Sequence, residues 1–282
     1  MSQRSVPILL VLVAFAALSC SSDSGPDNPE VILATTTSIY DSGLLDVLIP
    51  DFEEEIRYQI KPIAVGTGRA LAMGERGEAD VLLAHAPSAE KLLLDSGVVV
   101  SRTLVMHNFF AIVGPESDLA GIKGMSSAVE ALHQIADRES LFISRGDDSG
   151  THKMEISLWA EAGVEPSGAW YQEAGQAMGA TLAIASEKSG YTLTDRGTYL
   201  SLRKNLQLDP MVDTDSALLN VYSVLLVNAD KYPKVNKDGA EAFADFLVAP
   251  GTQDRIGEFG VDKFGESLFI PDAGKNEDQL AR

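Results

Sequence analysis

The chain reads as an α/β protein of two lobes with a ligand cleft between them, and three observations carry that reading. Short apolar, β-rich runs alternate along the sequence with stretches of helical periodicity. Two polar stretches, 117–124 and 209–216, fall where the chain could cross between lobes. The part beyond the first nineteen residues, roughly 260 residues, is long enough to bury one large core or two modest ones.

The elements follow in order. Residues 1–19 hold one basic side chain, Arg4, no acid, and an apolar run at 6–18 too short to cross a bilayer core as a helix, so they read as an export signal. Cys20, the only cysteine, stands where such a signal is cut, behind Ala17, Leu18 and Ser19, an arrangement that resembles a bacterial lipoprotein cleavage site. The expectation is a lipidated Cys20 followed by a Ser/Asp/Gly/Pro linker over 20–29. The alternative is an incidental or buried thiol. Strands are predicted at 31–34, 60–65, 81–84, 109–113, 141–144 and 223–228. Helical spacing links Leu44, Leu45, Leu48 and Phe52, then Ala128, Leu132 and Ile135, then Ala240, Phe243, Phe246 and Leu247. Pro50 is expected to split the first of these into two short helices, and the tail from Gly274 is expected to fray. The lobes are then 30–113 with 220–282, and 114–219.

Charge bounds the partners. The chain carries a net −19, and losing Arg4 with the signal makes it −20, which argues against nucleic acid or an anionic membrane surface as a partner. An anion site on such a chain has to be local. Two segments offer one. Thr35, Thr36, Thr37 and Ser38 sit at a strand-to-helix junction, where hydroxyls and free first-turn amides suit an anion, although one of these hydroxyls could equally serve as an N-cap. The second, from Ser144 to Thr151, places Arg145, Ser149, Gly150 and Thr151 before another helical pattern. Arg145 brings a permanent charge in a planar fork that can donate twice to one oxyanion. It could instead pair with Asp147 or Asp148 and stiffen the turn, and the two roles are compatible. Thr67, in Gly66-Thr67-Gly68-Arg69, is a weaker candidate, and the stretch 175–181 could supply backbone amides or merely open a helix. No dinucleotide or phosphate-loop fingerprint occurs. The four histidines, His85, His107, His133 and His152, lack metal-binding spacing and read as surface or packing residues, and no nucleophile elbow accompanies Ser149 and His152, so neither catalysis nor a protein-ligated metal is expected. Trp159 and Trp170 read as core.

With these segments in hand, the runs ATTTSIYDSGLLDVLIPDFE, AVGTGRALAMGERGEADVLLAHAP, SRGDDSGTHKMEISLW and YTLTDRGTYL resemble the tungstate-binding proteins of ABC transporters over nearly the whole mature chain. The resemblance implies a type II periplasmic-binding-protein fold closing on its anion. It implies ligand contacts at Thr36, Thr37, Ser38, Arg145 and Thr151, with Ser149, Gly150 and Thr67 added from the local reading. It implies no cofactor beyond the bound tungstate, an ABC permease and its ATPase as partners, a monomer, and an exported protein attached to the membrane through its lipid alone. Met154 stands where relatives often carry a second lysine, and Ala174 is a further departure. Local chemistry leaves phosphate open as the anion, because Asp147 and Asp148 stand beside Arg145 and could accept the proton that hydrogen phosphate carries and tungstate or molybdate lacks. An oxyanion sensor without a transporter would have the same sequence.

Overall fold

The computed structural model describes residues 29–280. The expected export signal, Cys20 and all of the linker except Pro29 lie outside the described residues. The chain runs β1 (Glu30–Thr36), α1 (Thr37–Asp41), α2 (Leu44–Glu55), β2 (Gln59–Val65), α3 (Thr67–Glu75), β3 (Val81–Ala84), α4 (Pro87–Asp95) and β4 (Val99–Gly114). It continues through α5 (Ala128–Asp137), β5 (Phe142–Ser144), α6 (Gly150–Glu161), β6 (Tyr171–Glu173), α7 (Met178–Lys188), β7 (Thr192–Asp195), α8 (Arg196–Leu202) and β8 (Asp209–Val212). It ends with β9 (Leu219–Val227), α9 (Lys237–Val248), α10 (Pro250–Glu258), α11 (Val261–Phe264) and β10 (Ile270–Pro271).

The main sheet has the order β10-β4-β9-β3-β1-β2. β1 pairs in parallel with β2 and β3, so the turns leaving these three strands sit side by side at one edge. β4 changes partners along its length: up to Phe109 it pairs with β9, and from Phe110 to Gly114 with β7 and β8. The chain returns by β9, which begins at Leu219. Two lobes result. One apolar cluster, with Val31, Leu33, Phe52 and Phe243, packs helices on the β1–β3 region, Phe52 meeting Phe243 edge-on at 5.1 Å. A second gathers Ile112, Leu132, Phe142, Trp159 and Tyr191 around the far end of β4. Both tryptophans pack there, 5.8 Å apart.

Three expectations change. α2 runs unbroken through Pro50. Pro50 and Asp46, whose carbonyl the proline leaves without its helical partner, are both exposed, so water can satisfy that oxygen, while Leu44, Leu45, Leu48 and Phe52 are buried on the opposite face and hold both halves. The strand expected at 109–113 is the end of a 16-residue strand whose earlier part, with Ser101, Arg102, His107 and Asn108, is too polar to show as an apolar run. The tail does not fray before Leu280: Glu277 pairs with Lys91 and Arg102, both at 2.6 Å, and Leu280 is buried. The short strands β6, β7, β8 and β10, none longer than four residues, were not expected at all.

Candidate functional site

Five strand-to-helix turns meet between the lobes. Thr36 ends β1 and precedes α1, and in the sheet register it lies beside Val65, the end of β2, so that Thr67 at the start of α3 is its neighbour one turn over. His85 follows β3, the strand on the other side of β1. From the second lobe come the turn joining β5 to α6, with Arg145 to Thr151, and the turn from β7 into α8, with Asp195. The N-terminus of α7 completes the group through Met178 and Gly179. Helix N-termini leave their first amides without intrahelical partners, so several such ends facing one space form a donor-lined chamber. A cavity of about 260 Å³ lies there, lined among others by Thr37, Ser38, Arg145, Met178, Asp195 and Thr198.

The hydroxyls divide by role. Thr35 spends its hydroxyl on Leu83 O at 3.0 Å, a bond that ties β1 to β3. Thr36, Thr67 and Thr151 are buried, yet their Oγ1 atoms have no hydrogen-bond partner, and neither have the Nε2 atoms of His85 and His152. Buried polar atoms are nearly always paired, and leaving one unpaired costs about 1–3 kcal/mol, so such a concentration marks a place shaped for a polar ligand. Ser149 caps α6 by accepting from His152 N at 3.2 Å.

Arg145 is 5% exposed. Its Nε donates to Asp147 Oδ2 at 2.9 Å, and Asp147 Oδ1 accepts from Ser149 N at 3.2 Å, so one carboxylate holds the arginine against its own turn and leaves the outer end of the fork toward the cavity. The pairing and the anion-binding role are compatible. Asp148 turns outward and pairs with Lys153, its backbone in the left-handed region at φ 58°. Gly146 is also left-handed, φ 61°, and a Cβ there would come within 2.8 Å of Glu173 Cβ, so only glycine fits this corner. Beneath it, buried Glu155 accepts from Ser144 Oγ, Tyr171 Oη and Trp159 Nε1 and pins the turn to the second core. Burial pushes the Glu155 carboxyl above the usual range against those three donors.

Two residues enter the site that sequence reasoning missed. His85, read as a packing residue, is buried against Tyr222, its Nδ1 2.8 Å from Asn220 Oδ1, and its pKa is lowered to about 4 by burial, with Arg145 adding to the effect. Asp195 caps α8, accepting from Thr198 N and Oγ1, both at 2.8 Å, and burial pushes its pKa up although Arg145 opposes. A histidine after a strand and an aspartate before a helix are ordinary in a sequence, and only the run YTLTDRGTYL gave any signal. Thr181 is turned away, its hydroxyl bonded to Gln176 O and Ala177 O, so the stretch 175–181 contributes through α7's first turn and not through that side chain. The lobes touch at Gly150: a Cβ built there would lie 2.5 Å from His85 Cε1, 3.0 Å from His85 Nε2 and 3.1 Å from Thr67 Oγ1.

Comparison with known proteins agrees with this geometry. Residues 23–250 match the PBP superfamily domain. The chain is 43% identical over 281 residues, 96% of its length and 98% of the relative's, to the tungstate-binding protein TupA of Peptoclostridium acidaminophilum. Among solved structures it is similar to the tungstate-binding protein TupA from Desulfovibrio alaskensis G20, with a TM-score of 0.77 and 46% identity over 87% of this chain and 99% of that one. It is also similar to a structure described as the tungstate ABC transporter from Geobacter sulfurreducens, with a TM-score of 0.73 and 44% identity over 82% of this chain and 98% of that one.

Proposed function

The chain belongs to the TupA family of tungstate-binding proteins within the PBP superfamily, and from that premise we propose that it captures tungstate, with molybdate as the nearest competitor, outside the cytoplasm and delivers it to an ABC permease and its ATPase. The observation that carries the reading is the set of unpaired buried hydroxyls of Thr36, Thr67 and Thr151 on the same turns that bring Arg145 to the cavity it lines with Thr37 and Ser38. Thr37, Ser38, Ser149 and the Gly150 amide complete the proposed contact set. The protein binds and releases without chemical turnover. The proposed lobes are 30–113 with 220–282, and 114–219, with the first boundary drawn back to Phe109–Phe110, where β4 changes partners, and the second set at Leu219, where β9 begins. Among the described residues no helix is long and apolar enough to cross a membrane, and the proposed attachment is a lipid on Cys20, with the protein acting as a monomer.

Selection follows from donors and acceptors. Tungstate and molybdate are dianions without a proton at neutral pH, and hydroxyls, amides and an arginine serve them fully. Asp147 spends one oxygen on Arg145 and one on Ser149 N, and Asp148 faces Lys153, so the acceptors that left phosphate open in the sequence are occupied by their own turn. A second reading, a hydrogen-phosphate binder, draws on Asp195 and on the unpaired Nε2 of His85 as acceptors. Calorimetric titration of the protein lacking residues 1–19 with tungstate, molybdate, sulfate and phosphate decides. The first two are expected to bind far more tightly than the others, and Arg145→Ala to weaken them about 10- to 150-fold, the loss of a charged hydrogen bond of about 1.5–3 kcal/mol. Tight phosphate binding with weak tungstate binding would replace this reading by the second.

A further inference from the structure

His85 presents a bare ring nitrogen to a site built for an anion. Asn220 fixes its tautomer: Asn220 Nδ2 donates to Asn108 Oδ1 at 2.7 Å and to Tyr222 Oη at 2.8 Å, which turns Oδ1 toward the ring, 2.8 Å from Nδ1. Nδ1 therefore carries the hydrogen, and in the neutral ring Nε2 is a lone pair. That atom is buried, unpartnered, and lies at the seam where Gly150 of one lobe meets Thr67 of the other. A lone pair beside a deprotonated oxyanion repels it, and tungstate brings no proton to relieve the contact.

We propose that His85 takes up one proton from solution as the anion binds, so that Nε2–H donates to the oxyanion and an imidazolium joins Arg145 in balancing a dianion. The proposal rests on the oxyanion reading above. In proton terms, neutral protein, dianion and one solvent proton give a complex in which Nδ1–H stays on Asn220 and the new Nε2–H faces the ligand. The groups around the ring set the direction. Burial holds it neutral by lowering its pKa to about 4, with Arg145 adding to the effect. Tyr222, stacked on the ring at 4.9 Å, has its own pKa raised by burial and stays an uncharged phenol. Asp195 faces Arg145 and has its pKa raised by burial, and His152 stands in the first turn of α6, so these two are the other groups at the site able to take a proton. A dianion at Nε2 outweighs the single positive charge of Arg145 and moves the ring's pKa upward. Between the free and bound values, affinity must fall as pH rises.

Titration calorimetry of the whole mature protein with sodium tungstate, in two buffers of different ionisation enthalpy at each pH, measures the proton count. The expected result is uptake of about one proton per tungstate, with the dissociation constant rising about tenfold per unit between about pH 7 and 8. His85→Gln, which keeps a donor in place, is expected to bind with no uptake and no slope. Long-range proton–nitrogen spectra of the wild-type ring, expected to change from the Nδ1–H tautomer to imidazolium on tungstate addition, read the same event without a variant. Zero uptake in the wild type with normal binding overturns the proposal. So does uptake that persists in His85→Gln, which would place the proton on Asp195, on His152 or on the anion. Failure of tungstate to bind at all would instead remove the oxyanion reading beneath it.

Discussion

Gly150→Ala isolates closure from folding. Gly150 opens α6, and its φ is not positive, so alanine suits its backbone and, as the stronger helix former, does not weaken the helix. The added methyl would stand 2.5 Å from His85 Cε1 and 3.1 Å from Thr67 Oγ1. The ring cannot swing aside cheaply, because Asn220 holds Nδ1 and Tyr222 stacks on its face. Relief must come from the lobes staying apart. Overpacking of this kind costs about 1–3 kcal/mol, which converts to an affinity loss of about 5- to 150-fold. The melting temperature without ligand should be unchanged or slightly raised, while tungstate calorimetry shows the loss and small-angle scattering shows less compaction on adding ligand. Wild-type affinity and compaction in Gly150→Ala would refute the inference that the lobes close on each other at this glycine.

Two further substitutions separate ligand groups from structural ones. Thr35→Val removes the bond to Leu83 O and is expected to cost about 1 kcal/mol of stability with affinity kept, whereas Thr36→Val, whose hydroxyl has no protein partner, should leave stability unchanged or higher and weaken tungstate binding; denaturation and calorimetry read the pair. Arg102→Ala strips buried Glu90 of its partner at 2.7 Å and is expected to cost about 3 kcal/mol, or roughly 6–12 °C in melting temperature. Burial raises the Glu90 carboxyl above its ordinary range, and Arg102 opposes that shift, so the folded variant binds a proton more tightly than the unfolded chain. The deficit should therefore grow as pH rises above the ordinary carboxylate range and shrink as it falls toward about pH 5, which thermal melts across pH would show.

What the sequence made legible is what depends on neighbours along the chain. The strand-to-helix turns at Thr36 and at Arg145–Thr151 announce themselves because hydroxyls, glycines and an arginine are adjacent in sequence, and the same adjacency puts them at helix N-termini. The division of labour between Thr35 and Thr36 was not legible, since it depends on which hydroxyl faces Leu83 in the next strand. His85 and Asp195 stayed hidden for a similar reason: their chemistry comes from burial and from partners 135 residues away in one case and a helix cap in the other. Pro50 misled because its cost depends on whether the carbonyl it orphans faces water. The tail from Gly274 misled because its anchors, Lys91 and Arg102, lie far upstream.

The central claim, one oxyanion held between Arg145 and the unpaired threonines, is tested most directly by locating the metal. A crystal of the mature protein grown with tungstate, measured at the tungsten absorption edge, is expected to show one strong anomalous peak. It should lie within hydrogen-bonding reach of Thr36 Oγ1, Thr67 Oγ1, Thr151 Oγ1 and the Arg145 fork. A peak elsewhere, such as in the surface pocket beside Ile156 and Val164, or a peak that leaves these hydroxyls unpaired, would contradict the account.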